Sequence, residues 1–255
     1  MLLFVAFHPS SQEVGRLQAC LASLPACIGY GVVVNDHRPG EPIDKLASHA
    51  DHFLACLDNP GYGEAVNRIV AQLRPGLLYL AVMNTDLTWD ADCFPGLLTW
   101  LCDHPDVTLA VPQIRDGEDR IQKLCKRDPT LLGLLSRRFI PGWLKPAWLH
   151  CYDQWYVMAD HDYTEVFDVP YLSGCCMLIR ADAFVAVKGF DARFFLYLED
   201  ADITRKLRQI GRCVHLPVRF IRHDWGRGNY RNPWLVLVNL HSAWLYFNKW
   251  GWRLW

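Results

Sequence analysis

The sequence has ten cysteines but no C-x-x-C pair. Zinc sites and disulfide frameworks show tighter spacing than this scatter, whose one cluster is Cys175-Cys176. The cysteines therefore read as small buried hydrophobes of a reduced, cytosolic protein. No apolar stretch approaches the length of a membrane span. The opening MLLFVAFHPS lacks a basic n-region and has a six-residue apolar run, so a signal peptide is not expected. Bulk positive charge is missing too. The formal charge of −1 argues against a nucleic-acid partner held by charge. There is no internal repeat and no low-complexity tract.

What is present suits one α/β domain with a full core. The chain has 255 residues, 51% hydrophobic and 21% charged, which excludes general disorder. Leu2 to Phe7 is a continuous apolar run, as in a parallel strand buried on both faces, and it ends at His8-Pro9-Ser10-Ser11. Val14, Leu17, Leu21 and Leu24 follow at helical spacing until Pro25. Tyr30 to Val34 reads as a second strand ending at Asn35-Asp36, and Phe53 to Leu57 as a weak third. After the turn Asn59-Pro60-Gly61-Tyr62-Gly63 comes a helix over Glu64 to Leu73. Leu77 to Met83 is the strongest strand candidate and ends in Asn84-Thr85-Asp86. Phe94, Leu97, Leu98 and Leu101 mark another helix, and Val107 to Val111 another strand. Strands alternating with helices predict a mostly parallel central sheet flanked by helices, with ligands beyond the strands' carboxyl ends. His8, Asp36 and Asp86 would share that edge.

From Arg115 to about Asp168 the rhythm is lost in a mixture of charges, prolines and Trp143, Trp148 and Trp155. That stretch is too aromatic for a linker. It reads as an insertion shaping an acceptor side, with a surface patch or dimer contact as the alternative. Tyr171 to Arg180 returns to strand and contains Gly174. Val214 to Ile221, broken by Pro217, leads to Arg222-His223-Asp224-Trp225-Gly226-Arg227-Gly228. That run is polar, flexible and cationic, which suits a loop folding over a diphosphate through Arg222 and Arg227.

The most informative stretch is GFDARFFLYLEDADITRKLRQIG, residues 189 to 211. A glycine turn and an aromatic run lead to Glu199, Asp200 and Asp202 in the first turn of a helix defined by Ile203, Leu207 and Ile210. The acids can complement the helix dipole. A carboxylate held at a helix start beside apolar rings is also how a general base is placed and tuned.

This stretch closely resembles the acidic signature of family 2 glycosyltransferases, in particular the bacterial rhamnosyltransferase-like branch. The resemblance spans roughly residues 1–112 and 168–228. It implies a GT-A-like fold and transfer of a sugar from a nucleotide-sugar to a hydroxyl, with inversion at the anomeric carbon. Asp200 would be the base, with Glu199 the alternative, while Asp202 supports the helix start. Asn84-Thr85-Asp86 stands where the family often carries D-x-D. Asp86 and His223 would hold a divalent cation, Mg or Mn, although Asn84 replaces the first acid. Asn59, Gly61, Gly63 and Asn67 resemble the family's N-x-G-x-x-x-x-x-N segment beside the phosphates. Asp36 corresponds to an acid contacting base or ribose, and Gly174 to a strand beside the donor sugar. dTDP-rhamnose is the favoured donor, with UDP- and GDP-sugars as alternatives, and a lipid-linked saccharide or surface polysaccharide is the implied acceptor.

These readings divide the chain into a catalytic domain, 1–233, and an aromatic and basic helical tail, 234–255. Residues 1–112 would mainly bind nucleotide-sugar, and 113–233 would carry the acceptor side and the base. The tail's Trp234, Trp244, Trp250, Trp252 and Trp255 with Lys249 and Arg253 suit the inner face of a cell membrane, or packing on the catalytic domain. Two other functions compete. A sugar nucleotidyltransferase would carry a glycine-rich basic loop after the first strand, which HPSSQEVGR lacks. A non-catalytic glycan- or nucleotide-sugar-binding module would not need the complete acid set.

Overall fold

The computed structural model describes residues 1–223 and 232–255. In chain order the strands are β1 (Leu2–Ala6), β2 (Tyr30–Val34), β3 (His52–Ala55), β4 (Tyr79–Asn84), β5 (Leu87–Thr88), β6 (Val107–Arg115), β7 (Phe167–Asp168), β8 (Cys176–Arg180) and β9 (Arg212–His223). The helices are α1 (Ser11–Leu21), α2 (Tyr62–Val70), α3 (Cys93–Asp103), α4 (Leu131–Phe139), α5 (Ala147–Tyr156), α6 (Ala181–Ala186), α7 (Glu199–Leu207) and α8 (Pro233–Trp250). Two short 3-10 turns lie at Pro42–Leu46 and Gly142–Leu144.

One sheet runs in the order β3-β2-β1-β4-β8-β6-β9-β5, with β7 paired to β9. The first half is parallel, as the buried apolar runs predict: β1 pairs in parallel with β2 and β4, and β2 with β3. β8 then inserts antiparallel between β4 and β6, and β6 pairs in parallel with β9. All five residues of β1 are buried, which places it at the centre of the core. Each such leucine or phenylalanine contributes about 2 kcal/mol by leaving water.

Local chemistry explains the ends of elements. Ser10 caps α1 by accepting from the Glu13 amide at 3.2 Å. β9 is longer than the Val214–Ile221 expected, because Pro217 lies in a bulge. The β6–β9 register steps from Pro112 opposite Leu216 to Gln113 opposite Phe220, so the missing proline donor disturbs no ladder bond. The strand expected over Tyr171 to Arg180 begins only at Cys176, and the freed residues enter the site described below. The insertion contains α4 and α5, packed by Gly133 against the Tyr156 ring.

The tail is not separate from the rest. Tyr246 and Phe247 of α8 are buried with Phe194, Leu198 and Ala201 beside α7. Lys249 Nζ meets Asp202 at 2.7 Å and Asp191 at 2.8 Å, and the Trp250 indole donates to Asp202 at 2.7 Å. Asp202 therefore clamps α8 onto α7, a role different from the helix-start support expected of it. Ser242 adds a hydrogen bond to the Leu196 carbonyl at 2.8 Å.

Candidate active site

The expected edge exists. β1, β2 and β4 end side by side, delivering His8, Asp36 and Asn84-Thr85-Asp86. His8 and Asp36 both take positive φ, 47° and 51°, which turns each side chain across the strand ends. His8 Nε2 meets Asp36 at 3.0 Å, and its Nδ1 meets Glu41. Both acceptors are carboxylates, so both ring nitrogens donate. The bond to Glu41 raises the His8 pKa, and the bond from His8 holds Asp36 below the usual carboxylate range. Asn35 is buried and donates to the Gly61 carbonyl at 3.2 Å, which leaves Asp36 as the residue on the open edge.

β5 carries the chain from Asp86 back against β9, pairing Leu87 with His223. His223 Nε2 thereby reaches Asp86 Oδ2 at 3.2 Å. Asp86 Oδ1 and His223 Nδ1 are buried and have no hydrogen-bond partner among the described residues. An orphaned carboxylate oxygen and a ring nitrogen at a sheet edge are a fitting partial ligand set for a divalent cation, with diphosphate oxygens completing it. Among the described residues no group of three His, Cys, Asp or Glu forms a full site by itself. Thr85 holds the turn by bonding Glu13.

The acidic helix start is unusual in its backbone. Tyr197 and Leu198 adopt φ of 70° and 62° immediately before Glu199. Two adjacent side-chain-bearing residues in the left-handed region are costly and persist only where the surroundings fix them. Here Phe194 and Leu198 are buried against α8. Asp200 then accepts from Tyr171 Oη at 3.1 Å, the Gly174 amide at 3.1 Å and the Ala201 amide at 2.9 Å. The Ala201 contact is local to the first turn of α7, whose N-cap Leu198 supplies no side-chain bond, but the other two come from outside the helix. Three donors leave one carboxylate lone pair free on a half-buried side chain. Glu199 differs. It is buried, its Oε2 has no partner, and burial followed by repulsion from Asp200 pushes its pKa up to about 8. Its ionised form is therefore disfavoured relative to an ordinary carboxylate.

Several expected donor contacts are engaged in packing instead. Gly61 has φ of 89°, and a Cβ there would lie 2.2 Å from the Phe195 carbonyl oxygen. A Cβ on Gly63 would lie 2.7 Å from Phe190 Cβ. Asn67 bonds both the amide and the carbonyl of Phe190, at 3.0 and 2.9 Å, and Asn59 accepts from the Gly61 amide at 3.2 Å. This turn thus docks α2 against residues 190–195. A Cβ on Gly174 would lie 3.2 Å from the Asp200 Cβ, so this glycine makes room for the acid. Arg222 pairs with Asp119 at 3.5 Å and Asp90 at 3.7 Å, so it is not a free cation for a diphosphate. Arg227 lies outside the described residues. Asn84 ends β4 half-buried, its amide bonded to the Cys175 carbonyl at 3.0 Å.

Sequence reasoning missed Tyr171, whose hydroxyl fixes Asp200, and Lys126, whose ammonium lies 4.2 Å from the Tyr171 ring centre. Neither stands in a periodic pattern. The one available signal was Tyr171 three residues before a glycine at the mouth of a strand.

No family model matches the chain. An N-acetylglucosaminyl-diphospho-decaprenol L-rhamnosyltransferase from Mycobacterium tuberculosis (strain H37Rv, and likewise strain CDC 1551) is 29% identical over 256 residues, covering 90% of this chain and 82% of that protein. Among solved structures, GalNAc-T7 with UDP, GalNAc and Mn2+ superposes with a TM-score of 0.62 at 12% identity, covering 88% of this chain and 43% of that one. A mannosyltransferase from Pyrobaculum calidifontis in complex with GDP-Man and Mn2+ gives a TM-score of 0.60 at 12% identity, covering 90% of this chain and 58% of that one. This chain thus spans about half of each of those longer chains. At such identities the structural likeness speaks for the fold alone.

Proposed function

We propose, from the premise that this chain is a family 2 glycosyltransferase of the rhamnosyltransferase-like branch built on the GT-A fold, that it transfers rhamnose from dTDP-rhamnose to a hydroxyl of a lipid-linked sugar diphosphate. The observation that carries the mechanism is the Asp200 carboxylate, held by Tyr171 and Gly174 with one lone pair open. That lone pair accepts the proton of the acceptor hydroxyl as the hydroxyl oxygen attacks the anomeric carbon and the bond to the diphosphate breaks. Glu199 is buried and resists ionisation, which favours Asp200 over it as the base. Asp36 and His8 form the nucleoside end of the donor site. Asp86 and His223 would hold a divalent cation, which supplies charge stabilisation to the leaving diphosphate.

The acceptor side lies over the insertion, and we assign its exposed aromatics to a membrane surface. Trp143, Trp148 and Trp244 are 83%, 61% and 54% exposed, a pattern that favours the lipid–water boundary over packing. Among the described residues no helix is long and apolar enough to cross a membrane. Contact at the inner face of the membrane is therefore peripheral in this reading. The test is transfer from dTDP-rhamnose to a synthetic lipid-diphospho-N-acetylglucosamine, followed by release of dTDP. Release of pyrophosphate from a sugar phosphate and a nucleoside triphosphate would instead identify a nucleotidyltransferase. Donor binding with no turnover on any acceptor would identify a binding module.

A further inference from the structure

Beside Asp200, on the side formed by the insertion, three hydrogen-bond donors converge and none has an acceptor among the described residues. The chain pairs Lys126 with Tyr171 through two backbone hydrogen bonds of 2.9 and 3.0 Å. This lays the Lys126 ammonium 4.2 Å from the centre of the Tyr171 ring, whose hydroxyl holds Asp200. The next residue, Arg127, bonds the Tyr156 carbonyl at 2.9 Å and so brings α5 alongside. The Tyr156 side chain is 1% exposed, yet its hydroxyl is buried with no partner. Arg137 of α4 lies 5.8 Å from the centre of the Tyr156 ring, at the exposed rim.

Among the described residues, neither Lys126 nor Arg137 makes an ion pair with a carboxylate, and each lies over an aromatic ring, although Asp200 attracts Lys126 from a distance. Other cations of the insertion are satisfied: Arg127 pairs with Asp160 at 2.9 Å, and Lys145 pairs with Asp153. The Lys126 ammonium is chiefly disfavoured by burial; the Asp200 carboxylate nearby attracts it, and Arg137 repels it. Two like charges and an orphaned phenol in one place gain nothing from each other, and Asp200 balances only one of the two charges. They are complementary to a ligand that offers several anionic oxygens and no donor.

We infer that Lys126, Arg137 and the Tyr156 hydroxyl form an anion subsite for the phosphate groups of the acceptor, graded from the Arg137 rim to Lys126 beside the base. The inference rests on the proposed glycosyl transfer and names which part of its substrate the insertion recognises. The exposed Trp143 and Trp148 lie just beyond α4, where the lipid of a lipid-linked sugar diphosphate would leave the site. The sugar hydroxyl would then face Asp200, and the diphosphate would bridge the two cations.

The test uses the full chain and two acceptors that share one sugar: a short-chain prenyl diphosphate sugar and its neutral alkyl glycoside. Calorimetry gives the binding of each, and initial rates give the KM of acceptor and donor. Lys126→Gln and Arg137→Gln should each weaken binding of the diphosphate acceptor by about tenfold or more, the range for losing one charge-assisted bond. Tyr156→Phe, which removes one oxygen and leaves the packing, should weaken it by a few-fold. Lys126→Arg should restore most of the loss. Binding of the neutral glycoside and the KM for dTDP-rhamnose should not move. Equal losses for both acceptors would overturn the subsite, as would unchanged binding in both glutamine variants. A rise in donor KM alone would also overturn it, by giving these cations to the donor's diphosphate. Diphosphate-dependent binding without any transfer would keep the subsite and reject the proposed reaction instead.

Discussion

Tyr171 and Asp200 lie 29 residues apart in sequence and 3.1 Å apart in space, phenol to carboxylate. The phenol is itself fixed, because Tyr171 is 6% exposed and paired through its backbone with Lys126. A carboxylate that is to act as a base toward one hydroxyl must not swing, and this bond with the Gly174 amide removes that freedom from Asp200. Asp200→Asn should therefore lower kcat by about a hundredfold or more while donor affinity stays within about twofold. Tyr171→Phe should lower kcat by about tenfold with Asp200 retained. Melting curves on the same preparations separate this from a capping role. An Asp200→Asn enzyme with full turnover and a melting point lowered by a few degrees would move the base elsewhere.

Glu199 gives the site a pH signature. Its pKa is near 4.5 in the unfolded chain and about 8 in the folded one. Between those values the folded state binds more protons, so stability is fully present below pH 4.5 and declines as pH rises toward 8. Denaturant midpoints measured between about pH 5.5 and 8.5 should fall across this window. Glu199→Gln should flatten the slope, since glutamine stays neutral throughout. A variant with the wild-type slope would show that other groups set it.

Gly61 separates packing from ligand binding. A Cβ there would collide with the Phe195 carbonyl, and φ of 89° disfavours any side chain. Gly61→Ala should cost about 2 kcal/mol or more in stability, with donor KM changed little in the protein that remains folded. A tenfold rise in donor KM without loss of stability would return this turn to the phosphate site.

The pair Asp86 and His223 makes metal dependence testable on binding as well as on turnover. Excess chelator should reduce activity, and Mg or Mn should restore it. Asp86→Ala should weaken nucleotide-sugar binding by about tenfold and abolish the stabilising effect of added cation on melting. Full turnover in chelator would leave neutralisation of the diphosphate to protein cations.

Lys249 tests the clamp between the last helix and the acidic one. Asp202 is fully buried, and Lys249 and the Trp250 indole are its partners. Lys249→Ala leaves that carboxylate short of its countercharge, for a cost of about 3 kcal/mol, or on the order of 10 °C in a domain of this size. Deleting the residues after Pro233 should accordingly damage the acidic helix as well as vesicle binding. Of the two readings of the tail, packing on the catalytic domain is what these contacts describe.

The sequence made the parallel half legible because buried parallel strands are apolar without interruption, and β1, β2 and β4 are that. The acidic helix was legible because three acids and a helical stripe are both local patterns. The insertion was opaque. Its helices α4 and α5 bury few residues, and Lys126 gains its place only by pairing with Tyr171, 45 positions later. The glycines of 59–63 were only half legible, for a physical reason. Glycine signals a close approach but does not say to what, and here the approaching group is the chain's own residues 190–195. Arg222 was visible as a cation, whereas Asp90 and Asp119, which engage it, come from distant loops.

The Asp86–His223 contact joins positions 137 apart in sequence. No partial fold of the N-terminal half can make it, since His223 arrives only when β9 has zipped onto β6 and curled against β5. A ligand that grips both residues thus closes the longest kind of loop this topology contains. Loop closure is entropically costly before its contacts form and is rewarded only afterwards. Such a ligand should slow unfolding far more than it speeds folding. Donor-dependent resistance to proteolysis would then report completion of the whole sheet, and not the state of the nucleotide-binding strands alone.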